Sequence, residues 1–132
     1  MVRRNNLMLL DTCALLWLSQ GGGQLSAATC KQINEVPVVY VSAISGFEIG
    51  IKVRKGKLTL PVSPVEWFEE IITHHDLHLL PLDLATCLQS TTLPAIHADP
   101  CDRFIIATAQ IHKLAVITAD SIFPQYGVTT LK

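Results

Sequence analysis

Charge is scarce in this 132-residue sequence: 16% of residues are charged, against roughly 25% in an average soluble protein. Ten Lys+Arg nearly cancel eleven Asp+Glu, leaving a net charge of -1. A strong positive balance is missing, so nucleic acid cannot be held by overall charge, only by local patches or through metal ions. Long apolar runs are missing too. The longest, Leu7 to Leu18, is 12 residues and is broken by Asp11 and Thr12, whereas a membrane span needs ~20. Arg3 and Arg4 precede it, but polar residues follow and no small-residue cleavage site comes in register, so a secretory signal is not expected. The four cysteines, Cys13, Cys30, Cys87 and Cys101, form no C-x-x-C pair. They read as reduced, small apolar fillers in a cytoplasmic protein. No repeat, low-complexity tract or linker divides residues 1–132, which read as one domain. With 49% hydrophobic residues, the chain is too apolar to be disordered.

Short apolar runs alternate with helical patterns. Leu7-Met8-Leu9-Leu10 is continuous and apolar, as in a strand buried on both faces. A helix from Ala14 to Ser19 follows, broken by Gly21-Gly22-Gly23, and a second spans Ser26 to Glu35. Val38 to Val41 is a β-branched and aromatic strand. Ser42 caps a helix over Ala43–Arg54 that Gly56 stops, and Ser63, Pro64 and Glu66 start another that runs to His75. Leu77 to Leu82 is a strand whose internal proline places it at or near an edge. Asp83 caps a short helix to Ser90, Asp99-Pro100 opens a helix over Cys101–Lys113, and strands follow at Ala115–Thr118 and Val128–Leu131. This alternation predicts an α/β fold with right-handed crossovers, a mainly parallel sheet of four to five strands and helices on both faces.

Such sheets bind ligands beyond the carboxyl ends of their strands. Asp11 ends the first strand, Glu48 lies in the helix leaving the second, Asp102 is in the first turn of the helix before the Ala115 strand, and Asp120 follows that strand. All four can meet at one rim. Two of them, and the neighbouring Asp99, also have plainer roles: Asp99 as a helix cap, Asp102 as a helix-start acid, Asp120 as a turn residue. Clustered carboxylates repel one another unless a hard cation such as Mg²⁺ or Mn²⁺ joins them. One or two such ions suit phosphodiester hydrolysis.

Four blocks then resemble one family. They are Leu10-Asp11-Thr12, Val41-Ser42-Ala43-Ile44-Ser45-Gly46-Phe47-Glu48-Ile49, Asp99-Pro100-Cys101-Asp102-Arg103-Phe104-Ile105-Ile106-Ala107-Thr108-Ala109, and Ile117-Thr118-Ala119-Asp120. Their order and spacing, over about Leu7 to Val128, are similar to the PIN-domain ribonucleases, and most of all to the VapC-type toxins of type II toxin–antitoxin modules. The resemblance implies a three-layer α/β/α sandwich and a Mg²⁺- or Mn²⁺-dependent endoribonuclease, with Asp11, Glu48, Asp102 and Asp120 as catalytic metal ligands. Thr118 and Thr12 would orient water or a ligand, with Asp99 in support. It also implies an RNA substrate, a cognate VapB-like antitoxin, a homodimer and no membrane role. Cys101, Gly46 and Phe47 depart from the usual family residues in ways that touch packing only, and no motif acid is missing.

Lys52, Arg54, Lys55 and Lys57 form a basic run just past Glu48, and Arg103 adds a fifth cation beside Asp102. They suit RNA-backbone contact, or equally a solvated helix end. His74, His75 and His78 lack ligand spacing, and His97, two residues before Asp99, reads as a loop residue or as one near the site. Trp17, Trp67 and Phe68 read as core or dimer contacts, and Leu15, Leu16 and Leu18 as antitoxin surface or core. Two rival functions stand beside the nuclease. One is a phosphoryl-transfer or phospho-acceptor domain using Asp11, which would want a second acid two residues on or a lysine after a late strand. The other is a non-catalytic binding module on the same fold.

Overall fold

The structure, a computed structural model, describes residues 7–132. Arg3 and Arg4 lie outside that range. The five strands are β1 (Leu7–Leu10), β2 (Val38–Ser42), β3 (Leu77–Leu80), β4 (Ala115–Ile117) and β5 (Thr130–Leu131). They form one sheet in the order β3-β2-β1-β4-β5, with every pairing parallel. The six helices are α1 (Thr12–Ser19), α2 (Ala27–Glu35), α3 (Ala43–Arg54), α4 (Pro64–His74), α5 (Leu84–Thr92) and α6 (Pro100–His112). The α/β class and the parallel sheet expected from the alternation are what the chain forms.

Alternate residues of the central strands feed opposite faces. Met8, Leu10 and Ile117 pack with Leu15, Leu18, Ile33, Trp67 and Ile71 of α1, α2 and α4. Leu9 and Val116 pack with Ile105, Ile106 and Phe123 on the other side. Helix α3 serves both layers, through Ile49 on one and Ile44 on the other. The sheet is thus covered on both faces, the three-layer arrangement expected.

Element ends differ from the sequence reading in ways the backbone explains. β3 stops at Leu80 because Pro81 has no N–H for the ladder, and β3 is indeed an edge strand. Helix α1 starts earlier than expected, at Thr12, because the Asp11 side chain caps it. Helix α6 stops at His112, where Lys113 turns into the left-handed region at φ 56°. After α1, Gly23 at φ +50° lies so close to Trp17 that an added Cβ would stand 2.8 Å from the Trp17 Cβ, which only glycine avoids. On the α1 face, Leu15 and Leu18 are core residues, which removes them from the antitoxin surface suggested for them.

Candidate metal centre

Asp11 leaves β1 at its carboxyl end, and its N–H is still held by the Ile117 carbonyl of β4 at 3.1 Å. Asp11 as a whole is only 5% exposed. Oδ1 accepts the Ala14 N–H at 2.7 Å, so the same side chain caps α1 and faces the rim. Burial raises its pKa above the ordinary carboxylate value. The Thr118 hydroxyl and the Ala14 N–H oppose that rise, while the charges of Glu48 and Asp120 add to it.

Ser42 caps α3 by accepting the Ile44 N–H at 3.1 Å, and this sets the helix that carries Glu48. Glu48 Oε2 lies 3.3 Å from Lys52 Nζ, one turn along. Its other oxygen, Oε1, is buried with no hydrogen-bond partner among the described residues. Burial pulls the Lys52 ammonium down, but the charge and hydrogen bond of Glu48 outweigh it and hold Lys52 above its usual value.

Asp99 caps α6 through Oδ1, which accepts the N–H of Cys101 at 2.8 Å and of Asp102 at 3.4 Å. Asp102 then stands in the first turn. Burial, then the charge of Asp99, push its carboxyl up to about 7. Glu48 and Asp11 add to that rise, and His97 opposes it. Asp120 is fixed twice: its N–H donates to Thr118 Oγ1 at 3.0 Å, and its Oδ1 accepts the Ile122 N–H at 2.8 Å.

Asp11, Glu48, Asp99, Asp102 and Asp120 line one cleft of about 410 Å³ together with Lys52, Cys13, Trp17 and Gln24. The four acids read from their strand-end positions therefore do meet. Two further residues come with them. Trp17, read as a core or dimer contact, forms part of the cleft wall while also packing on the core. His97, read as a loop residue, points its Nε2 to within 2.8 Å of Asp120 Oδ2 and 3.0 Å of Asp102 Oδ2. Among the described residues, His97, Asp102 and Asp120 bring three possible ligand atoms within 4.8 Å of one another. Only the position of His97 just ahead of the Asp99 cap hinted at this in the sequence.

Two supporting residues and one cation have partners within the protein. The buried Thr12 hydroxyl shares a 2.9 Å hydrogen bond with Ser45, and Thr12 also lines the cleft. Asp99 spends Oδ1 on the α6 cap. Arg103, expected to meet RNA, folds inward and donates to the carbonyls of Ser90, Leu93, Pro94 and His97 at 2.8 to 3.2 Å. Five N–H groups in a planar fork suit such a cluster of carbonyls. Lys52 is partnered with Glu48, whereas Arg54 in the last turn of α3 and Lys55 and Lys57 beyond it are exposed.

The donor set fits a hard divalent cation. All the acids offer oxygen, the preference of Mg²⁺ and Mn²⁺. A buried carboxylate oxygen without a partner, as Glu48 Oε1 is, costs free energy that a bound cation would offset. Burial raises Asp102 and Asp11, and the neighbouring acids add to the rise. Burial and the charge of Asp11 raise the Cys13 thiol above its usual value, so without metal it adds no negative charge to the cleft at neutral pH.

A parallel sheet covered on both faces, with one buried and several half-buried carboxylates gathered beyond the carboxyl ends of its central strands, defines an α/β protein with an acidic cleft. Comparison with known proteins narrows this. The PIN domain signature matches residues 8–128. Ribonuclease VapC22 of Mycobacterium tuberculosis is 30% identical over 115 residues, covering 86% of this chain and 86% of its own. The chain belongs to the PIN domain family. Two solved structures share its fold. VapBC2 from Rickettsia felis, bound to a DNA fragment from its promoter, superposes with a TM-score of 0.69 at 12% identity, covering 96% of this chain and 97% of its own. FitAcB from Neisseria gonorrhoeae gives 0.66 at 22% identity, covering 95% and 96%.

Proposed function

We propose that this chain is a divalent-metal-dependent endoribonuclease, the toxin of a toxin–antitoxin module. The observation that carries the reading is the convergence of Asp11, Glu48, Asp102 and Asp120 on one cleft, with a buried Glu48 oxygen left unpartnered. The 30% identity to a VapC ribonuclease supports RNA as substrate. Asp11, Glu48, Asp102 and Asp120 would hold Mg²⁺ or Mn²⁺. When bound, the ion supplies positive charge for the scissile phosphate and acidifies an attacking water.

The chain's own residues do the positioning. The Thr118 hydroxyl, between the Asp11 carboxylate and the Asp120 N–H, keeps the acids after β1 and β4 in fixed relation. The Thr12–Ser45 hydrogen bond ties the start of α1 to α3 one turn before Glu48. Lys52 neutralises part of the Glu48 charge and leaves Oε1 for a cation. Arg54, Lys55 and Lys57, exposed at the end of α3 and just beyond it, offer phosphate contacts for an RNA strand passing the cleft. A phospho-acceptor role for Asp11 is less well served, since Oδ1 is held by the Ala14 N–H and the side chain is buried.

The solved neighbours are toxin–antitoxin assemblies, which supports a VapB-like antitoxin as partner. A homodimer and a cytoplasmic setting complete the reading; among the described residues no helix is long and apolar enough to cross a membrane. The test is to induce the protein in cells and sequence the new RNA ends. The reading expects cleavage at defined sites that stops when a small protein encoded beside it is co-expressed. RNA ends unchanged by induction of folded protein would refute it.

A further inference from the structure

The loop between α5 and α6 is built around His97. The Tyr126 hydroxyl accepts the N–H groups of Ile96 at 3.1 Å and His97 at 2.7 Å, and donates to the Pro94 carbonyl at 2.7 Å. Arg103 holds the Pro94 and His97 carbonyls at 2.9 and 3.2 Å. Phe123 meets the imidazole edge-on, with ring centroids 6.0 Å apart. A side chain braced this way, with 10% of its surface exposed, has one direction to point: Nε2 faces Asp102 and Asp120 at 3.0 and 2.8 Å.

Two roles fit those distances. Nε2 could carry a lone pair and ligate a cation, or it could carry a proton and donate to both carboxylates. The other ring nitrogen separates them. Nδ1 accepts the Asp99 N–H at 3.1 Å, so a lone pair stands there and the proton of the neutral ring sits on Nε2. A proton on Nδ1 would set two N–H groups against each other. Histidines that ligate metals show the reverse pattern, donating from the far nitrogen to a carbonyl or carboxylate.

We infer that His97 is a positioning residue: its Nε2–H bridges Asp102 and Asp120 and holds them at ligand separation, while His97 stays outside the ion's ligands. Asp102 comes from α6 and Asp120 from the loop after β4, 18 residues later in sequence. Nothing else in their hydrogen bonding links the two carboxylates to one atom. This rests on the metal reading of the cleft proposed above.

The test uses the full chain and Mn²⁺ as probe. In the metal-free wild-type protein, ¹⁵N NMR should show Nε2 of His97 protonated and Nδ1 unprotonated. Spin-echo modulation of the Mn²⁺-loaded protein should show no directly coordinated nitrogen. By calorimetry, His97→Ala should weaken Mn²⁺ binding by about 10- to 100-fold, the usual effect of losing a hydrogen bond to a ligating side chain. His97→Gln, whose amide N–H can replace the donor, should recover most of that loss. A proton on Nδ1, a coordinated nitrogen, or wild-type affinity in His97→Ala would overturn the bridging role. If His97→Ala does not fold, the two spectroscopic results on wild-type protein decide. A wild-type protein that takes up no Mn²⁺ would overturn the metal reading itself, a different failure.

Discussion

Thr12 Oγ1 and Ser45 Oγ meet at 2.9 Å in the interior, joining residues 33 apart in sequence. Thr12 follows Asp11 at the start of α1, and Ser45 lies one helical turn before Glu48 on α3. The bond therefore sets the distance between two acids that no direct contact joins. Thr12→Val keeps the shape and strands the Ser45 hydroxyl in the core. It should cost about 1–3 kcal/mol of stability and also weaken Mn²⁺ binding, since Glu48 is freed to shift. Chemical denaturation and calorimetry on the same sample check both. Lost stability with unchanged Mn²⁺ affinity would confine the pair to a folding role.

The carboxyl of Asp102, lifted from 3.8 to about 7, makes the metal-free protein sensitive to pH in a definite direction. Between those values the folded chain holds a proton that the unfolded chain has released. Stability therefore falls as pH rises through this window and levels off above about 7. Asp11 is shifted in the same direction. Asp102→Asn should remove part of the slope and be more stable than wild type at pH 8 without metal. Mn²⁺, binding only the folded chain, should raise the wild-type melting temperature more at pH 8 than at pH 5. Urea midpoints at the two pH values measure this; a wild-type slope unchanged in Asp102→Asn would contradict it.

Arg103 separates a structural cation from an RNA-binding one. Its guanidinium joins the carbonyls of Ser90, Leu93, Pro94 and His97. Lysine has one ammonium and cannot span that set. Arg103→Lys should lose roughly 1.5–3 kcal/mol, the scale of a hydrogen bond to a charged group. Thermal unfolding measures the loss. The salt dependence of RNA binding should stay as in wild type.

The exposed patch behaves the opposite way. Replacing Arg54, Lys55 and Lys57 with glutamine should leave stability and Mn²⁺ affinity near wild type and weaken RNA binding. If all three meet phosphates, the slope of log affinity against log salt should fall by about 2, at ~0.7 per contact on single strands. Titration of an uncleavable oligonucleotide at several salt concentrations measures it. An unchanged slope would assign the patch to solvent alone.

How much of this was legible in the sequence depended on the range of the forces involved. The bounds of α3, Ala43–Arg54, follow from a serine cap and a basic last turn, both local, and they were readable directly. Asp11 was readable because a carboxylate straight after four apolar strand residues must either be used or be compensated. β3 was overextended to Leu82 because an apolar run hides the ladder bond that Pro81 cannot make. His97 and Arg103 were misjudged for a shared reason. The segment 93–99 has no periodicity, and its conformation comes from Tyr126, about 30 residues downstream, and from Arg103 reaching back. Trp17 was assigned to the core by its helix, yet the glycine turn packed on it leaves it at the cleft wall.

The central claim is that the acid cluster holds a cation that cleaves RNA. Asp11→Asn tests it most directly, because asparagine keeps an oxygen for the Ala14 N–H that caps α1 and removes only the charge. Purified wild-type and Asp11→Asn proteins would be given RNA with Mn²⁺ or with chelator. The prediction is cleavage by wild type only with the ion, and a loss of about 100-fold or more in the folded variant. Cleavage by Asp11→Asn at the wild-type rate, or by wild type in chelator, would contradict it.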